Sequence, residues 1–123
     1  MILSELVTYI ATQLSLIEDT TIFNGVVHID AIEESHILIR MIAGGTDSIS
    51  GMKKIPIQVL SYAKSYLAAE NLAVSVHDLI GNKAGFVGIT DITYCAVIGR
   101  PALITQDARG FYIFSATYLV SIS

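Results

Sequence analysis

Apolar residues recur along this chain with two different periods, and the period assigns most of its elements. Around residues 4–15, Leu3, Leu6, Val7, Ile10 and Leu14 return every three or four positions, which predicts an amphipathic helix. Ser4 or a neighbour is placed to cap it, and Glu5 suits the first turn. The polar run Glu18-Asp19-Thr20-Thr21 breaks the pattern. After Asn24-Gly25, Val26, Val27 and Ile29 predict a short strand within residues 23–32. A second strand is predicted over residues 35–43. There Ile37, Ile39 and Met41 share one face, and His36, Leu38, Arg40 and Ile42 share the other. Both faces are largely apolar, so this strand should be covered on both sides.

Residues 44–52, Gly-Gly-Thr-Asp-Ser-Ile-Ser-Gly-Met, offer little to pack and read as a loop. Beyond it Ile55, Ile57 and Val59 alternate with Pro56, Gln58 and Leu60, a strand pattern. Pro56 lacks an N–H, which predicts a place at the strand start or on an edge. The two strands and their loop suggest a long hairpin. The helical period returns over residues 62–80 with Tyr62, Tyr66, Ala69, Leu72, Val76, Leu79 and Ile80. Gly81-Asn82 is a left-handed stop signal. A glycine-rich link over residues 85–88 leads into two long β runs, with Arg100-Pro101 expected at the start of the first. They flank the turn Gln106-Asp107-Ala108-Arg109-Gly110. In the last run Tyr112, Phe114, Ala116, Tyr118, Val120 and Ile122 alternate with Ile113, Ser115, Thr117, Leu119 and Ser121. The order helix, strands, helix, strands predicts an α+β fold. Its sheet should be antiparallel, mixed at most, with about four to five strands and two packed helices.

Length and composition narrow the picture. A chain of 123 residues has the size of one domain, expected to span residues 1–123. Hydrophobic residues make up 53% and charged residues only 15%, more apolar than a small monomer readily hides. Association with other copies is therefore expected. No apolar run has the length of a membrane span. Met1-Ile2-Leu3-Ser4-Glu5 lacks the basic region and long apolar stretch of a signal peptide. The net charge is −4 and Lys53-Lys54 is the only adjacent basic pair, which argues against wrapping nucleic acid. It is compatible with DNA that passes by without sticking. Cys95 is the single cysteine and lies among apolar neighbours, as a small buried hydrophobe would.

Candidate chemistry is sparse. His28, His36 and His77 share no metal-ligand spacing, and adjacent Glu33 and Glu34 read as a solvated turn before the strand, since neighbours in a strand would point to opposite faces. Gly44-Gly45-Thr46-Asp47-Ser48 lacks the order of a phosphate-binding loop. His77-Asp78 are neighbours on a helix and do not face each other. No cofactor, metal or catalytic set is expected. Asp107 and Arg109 are placed either to form the turn or to meet a neighbouring subunit at a rim. Tyr62, Tyr66, Tyr112 and Tyr118 are expected in the core, with interface anchoring as the alternative.

The chain resembles the tail-terminator (minor capsid, tail-completion) proteins of long-tailed bacteriophages. Four features carry the likeness. The first is the amphipathic N-terminal helix. The second is a strand, glycine-rich loop and strand ending in Lys54-Ile55-Pro56-Ile57-Gln58-Val59-Leu60. The third is the Ala- and Leu-rich helix over residues 65–80. The last is Arg100-Pro101-Ala102-Leu103-Ile104-Thr105-Gln106-Asp107-Ala108-Arg109-Gly110-Phe111-Tyr112, followed by a terminal strand. Thr105-Gln106 departs from the glycine expected there. The resemblance implies a hexameric ring at the head-proximal end of the tail in the virion, assembled in the host cytoplasm. Such a ring stops tail-tube polymerisation and meets a head connector or stopper protein, while DNA passes through its lumen. Candidate assembly residues are Gly44, Gly45, Asp47, Ser48, Lys53, Lys54, Arg100, Asp107 and Arg109. Two alternatives stand beside this. One is a head–tail connector of similar fold; the other, from a different class, is a small ligand-binding α+β domain.

Overall fold

A computed structural model of the protein describes residues 2–16, 22–24, 35–42, 46–47, 53–84, 92–107 and 110–122. The elements are α1 (Ile2–Leu14), β1 (Ile22–Asn24), β2 (His36–Met41), β3 (Thr46–Asp47) and β4 (Lys53–Ala63). They continue with α2 (Tyr66–Ile80), β5 (Ile92–Gln106) and β6 (Tyr112–Ile122). The fold is α+β, as the periodicity predicts. One sheet has the strand order β1-β2-β4-β6-β5, and β3 adds to β4. All pairs are antiparallel except β1 with β2, which makes the sheet mixed.

Both helices pack on one face of the sheet. Leu6, Val7 and Ile10 of α1 and Val76 and Ile80 of α2 meet Ile37, Ile39, Ile57, Val59, Tyr118 and Val120 in the main core. The opposite face buries a second cluster, Phe23, Leu38, Leu60 and Ile113, near the other end of the strands. β2 is therefore covered on both sides from His36 to Ile39, as its double apolar pattern requires, and exposed beyond. β6 is central, and the alternation read from its sequence separates Phe114, Ala116, Tyr118 and Val120, all buried, from half-buried Ser115, Thr117, Leu119 and Ser121.

Several boundaries differ from expectation, each for a physical reason. Ser4 lies inside α1, which starts at Ile2, so it is not the cap. The helix ends where Ser15 turns left-handed at φ 57° and the Leu16 N–H reaches back to the Ala11 carbonyl at 2.9 Å. The strand expected within residues 23–32 is found earlier, at Ile22–Asn24; Val26, Val27 and Ile29 lie outside the described residues. Tyr62 and Ala63 belong to β4, paired with Ile113 and Tyr112, and not to α2. The helix starts later because Ser65 caps it, accepting the Ala68 N–H at 3.1 Å.

Pro56 stands in a central strand, neither at its start nor on an edge. Its carbonyl accepts the Ile42 N–H at 3.3 Å, so its nitrogen faces the β2 side too, just where β2 ends. No bond to β6 is lost, because neighbouring residues supply them. Arg100-Pro101 likewise sits in the middle of β5 rather than leading it.

Candidate assembly surface

The hairpin β5–β6 closes through a turn built by Asp107. Its backbone N–H donates to the Phe111 carbonyl at 2.8 Å, and its carboxylate accepts the Phe111 N–H at 3.0 Å. Gly110 donates to the Asp107 carbonyl at 3.0 Å and adopts φ 89°, a left-handed value that suits glycine. Asp107 is thus a turn former, and Arg109 lies outside the described residues.

β5 does not lie flat beside β6. Its 15 residues run alongside the 11 of β6, with register shifts at four points. Each extra residue is a bulge that bends an edge strand and strengthens its twist. Pro101 falls at one of them, between the pairs Gly99–Thr117 and Ala102–Ser115. A proline is tolerated there because the strand is both bulged and an edge.

The two halves of β5 differ in what covers them. In the first, the Cys95 N–H donates to the Lys83 carbonyl at 2.9 Å and the Val97 N–H to Asn82 Oδ1 at 3.1 Å. The turn after α2 thereby seals this part of the edge. In the second, every residue from Ala102 to Gln106 is exposed. Consecutive strand residues point to opposite faces, so this arm is open on both sides. It carries apolar side chains nonetheless: Ile104 is 56% exposed and Leu103 is exposed too, while Ile98, ahead of Pro101 in the other half, is 59% exposed. Large exposed apolar side chains grouped on one edge strand suit a contact site.

Arg100 is exposed beside the arm, across a groove of about 210 Å³ from Glu70, Val74, His77 and Asp78 of α2. Within the wall of that helix His77 Nδ1 and the Tyr118 hydroxyl share a hydrogen bond of 2.9 Å. Burial pushes the Tyr118 phenol up, with a smaller contribution from the charges of Cys95 and Asp78. Burial also raises the Cys95 thiol from an ordinary 9.0 to about 12, consistent with an inert core residue. His36 is buried as well, stacked on Tyr62 at 4.4 Å with Phe111 edge-on at 5.2 Å. His28 lies outside the described residues.

A sequence family described as bacteriophage tail terminator protein matches residues 18–123. The chain belongs to that family. The match takes in the whole sheet and α2 and leaves out α1. No curated protein shows a significant match. This tail terminator is therefore a structural, assembly-type component of a phage tail, in line with the resemblance seen in its sequence. Among the described residues, no helix is long and apolar enough to cross a membrane.

The residues singled out from the sequence do not form one cluster in this terminator. Gly44, Gly45 and Ser48 lie outside the described residues, while Asp47 and Lys53 pair with each other across β3 and β4. Lys54 is exposed on β4, two strands from Arg100. Of the four tyrosines expected in the core, Tyr118 is buried, Tyr62 and Tyr112 are half-buried and Tyr66 is exposed. What the sequence did not disclose is the exposed arm, and a hydrogen-bonded row on the face opposite the two helices. There Arg40 Nε donates to Gln58 Oε1 at 2.8 Å, and Gln58 Nε2 donates to Ser115 Oγ at 2.9 Å. These three residues come from three strands, so no local pattern brings them together.

Proposed function

We propose that this tail terminator assembles into a ring, hexameric as the family resemblance implies, at the head-proximal end of the tail tube. The ring ends tube polymerisation by covering the last tube subunits, and offers the head connector or stopper protein a new surface. DNA passes through its lumen without specific binding. The observation that carries the proposal is β5, whose arm is open on both faces at Leu103 and Ile104 and whose first half leaves Ile98 uncovered, in a member of this family. Such surface is stabilised by contact with another protein.

The tube-facing contact is assigned to this arm together with Arg100 and the turn of Asp107 and Arg109. Asp47, Lys53 and Lys54, at the opposite end of the strands, are assigned to the head protein. β4 begins at that end, whereas β5 ends at the turn.

The test is size-exclusion chromatography with light scattering, alone and with tube protein, followed by electron microscopy. The wild type should cap tubes and limit their length. Leu103→Lys with Ile104→Lys should leave the fold intact, because both side chains are exposed, and abolish capping. A protein that never caps tubes overturns the proposal. Binding to head connector rings without any binding to tube favours the connector alternative.

A further inference from the structure

The outer side of α2 carries a second stripe, separate from the one that packs on the sheet. Leu67, Glu70, Val74 and Asp78 follow at spacings of three, four and four, and so share one face of the helix. Leu67 is 64% exposed and Val74 is 41% exposed, although both are large and apolar. Glu70 and Asp78 bracket Val74, about 12 Å apart along the axis at 1.5 Å per residue. Among the described residues neither carboxylate has an ion-pair partner, and Arg100 across the groove has none either.

The face of the sheet opposite α1 and α2 bears the complementary pattern. Arg40, Ile42 and Lys54 lie on that face, with Ile42 opposite Pro56 and therefore between the two cations. Ile42 is 48% exposed. Gln58 is opposite Arg40 and four residues from Lys54, which separates the cations by about 13 Å along the strands. Among the described residues, the relay through Gln58 and Ser115 holds Arg40 by its Nε alone. Both terminal amino groups of the guanidinium remain to meet a carboxylate, the fork geometry that arginine offers.

We propose that these two surfaces bind each other between copies of this chain. The acid–apolar–acid stripe of α2 on one subunit docks on the base–apolar–base row of β2 and β4 on the next. The two patches match in charge order, in spacing and in having an exposed aliphatic residue at the centre. They are different surfaces of one molecule, so the contact is heterologous, the kind that closes a ring. The proposal rests on the ring assigned above and adds which faces join. Charge complementarity at such a contact fixes register and suppresses wrong pairings.

A charge exchange tests it. One variant carries Glu70→Lys and Asp78→Lys, the other Arg40→Glu and Lys54→Glu. Far-UV circular dichroism and melting establish that each is folded. Alone, each presents like charges at every contact and should lose the assembled species that the wild type forms. Mixed in equal amounts, every contact again joins opposite charges, and the assembled species should return with the two variants alternating. Added salt should weaken the mixed assembly. If the wild type assembles and either variant alone does so equally, or if mixing restores nothing, this interface is wrong while the ring stands. If the wild type stays monomeric even with tube protein, both fall.

Discussion

Gly81 is retained for space and not for handedness. The residues Gly81-Asn82 read as a left-handed stop after α2, and the left-handed residue is Asn82, at φ 53°. Gly81 itself has φ −65°, open to any residue, but a Cβ there would lie 2.7 Å from the His77 carbonyl oxygen. That oxygen accepts the Gly81 N–H at 2.8 Å and is backbone, so it has little room to retreat. Gly81→Ala should therefore destabilise the protein by about 1–3 kcal/mol, the range for forcing an extra carbon into a packed site. Thermal melting checks this; an unchanged melting temperature would show that the end of α2 shifts freely. Asn82 has a further role, since its side chain holds the Val97 N–H and ties the helix end to β5.

At the scale of the element, β5 combines apolar surface with features that oppose strand-to-strand pairing. Long apolar edges template the addition of further strands, and bulges and prolines blunt them. β5 has register shifts at four points and Pro101 beside one of them. Its exposed residues are thus available to side-chain contact while regular sheet extension is discouraged. Pro101→Val restores an N–H and lets the edge straighten. The variant should scatter more light than the wild type during incubation at a temperature below its melting point. Equal scattering would place the protection in the bulges alone. The same physics explains the two prolines' different surroundings. Pro56 is tolerated centrally because β2 runs out beside it, and Pro101 because no strand among the described residues lies beyond β5.

For the whole molecule, the core holds two groups whose ionisation opposes folding. Cys95 is raised from 9.0 to about 12 and Tyr118 is also raised, both chiefly by burial. A raised acid binds its proton more tightly in the folded than in the unfolded chain. Its contribution is fully present below the unfolded pKa and is lost as pH rises toward the folded value. For Cys95 the window runs from about pH 9 to about pH 12. Melting temperature should fall across that window, and Cys95→Ala should fall less steeply than the wild type because one titrating group is gone. Parallel slopes for the two proteins would assign the alkaline loss elsewhere.

Local periodicity by itself determined the α+β class, the α2 core stripe, the two-sided burial of β2 and the alternation of β6. Each depends on side chains a few positions apart, which sequence displays directly. It also determined the turn, because Asp107 and Gly110 act within a few residues of each other. Which strands became neighbours was decided only by the tertiary structure. β1 running parallel to β2, Pro56 in the sheet centre and Tyr62 in β4 rather than α2 all follow from pairing partners distant in sequence. The same holds for surface. Leu67, Val74, Ile98 and Ile104 look like core residues in a list of letters, and became contact candidates only because packing left them outside. Burial is a sum over distant neighbours, so a short stretch of chain cannot fix it, whereas period is written into the stretch itself.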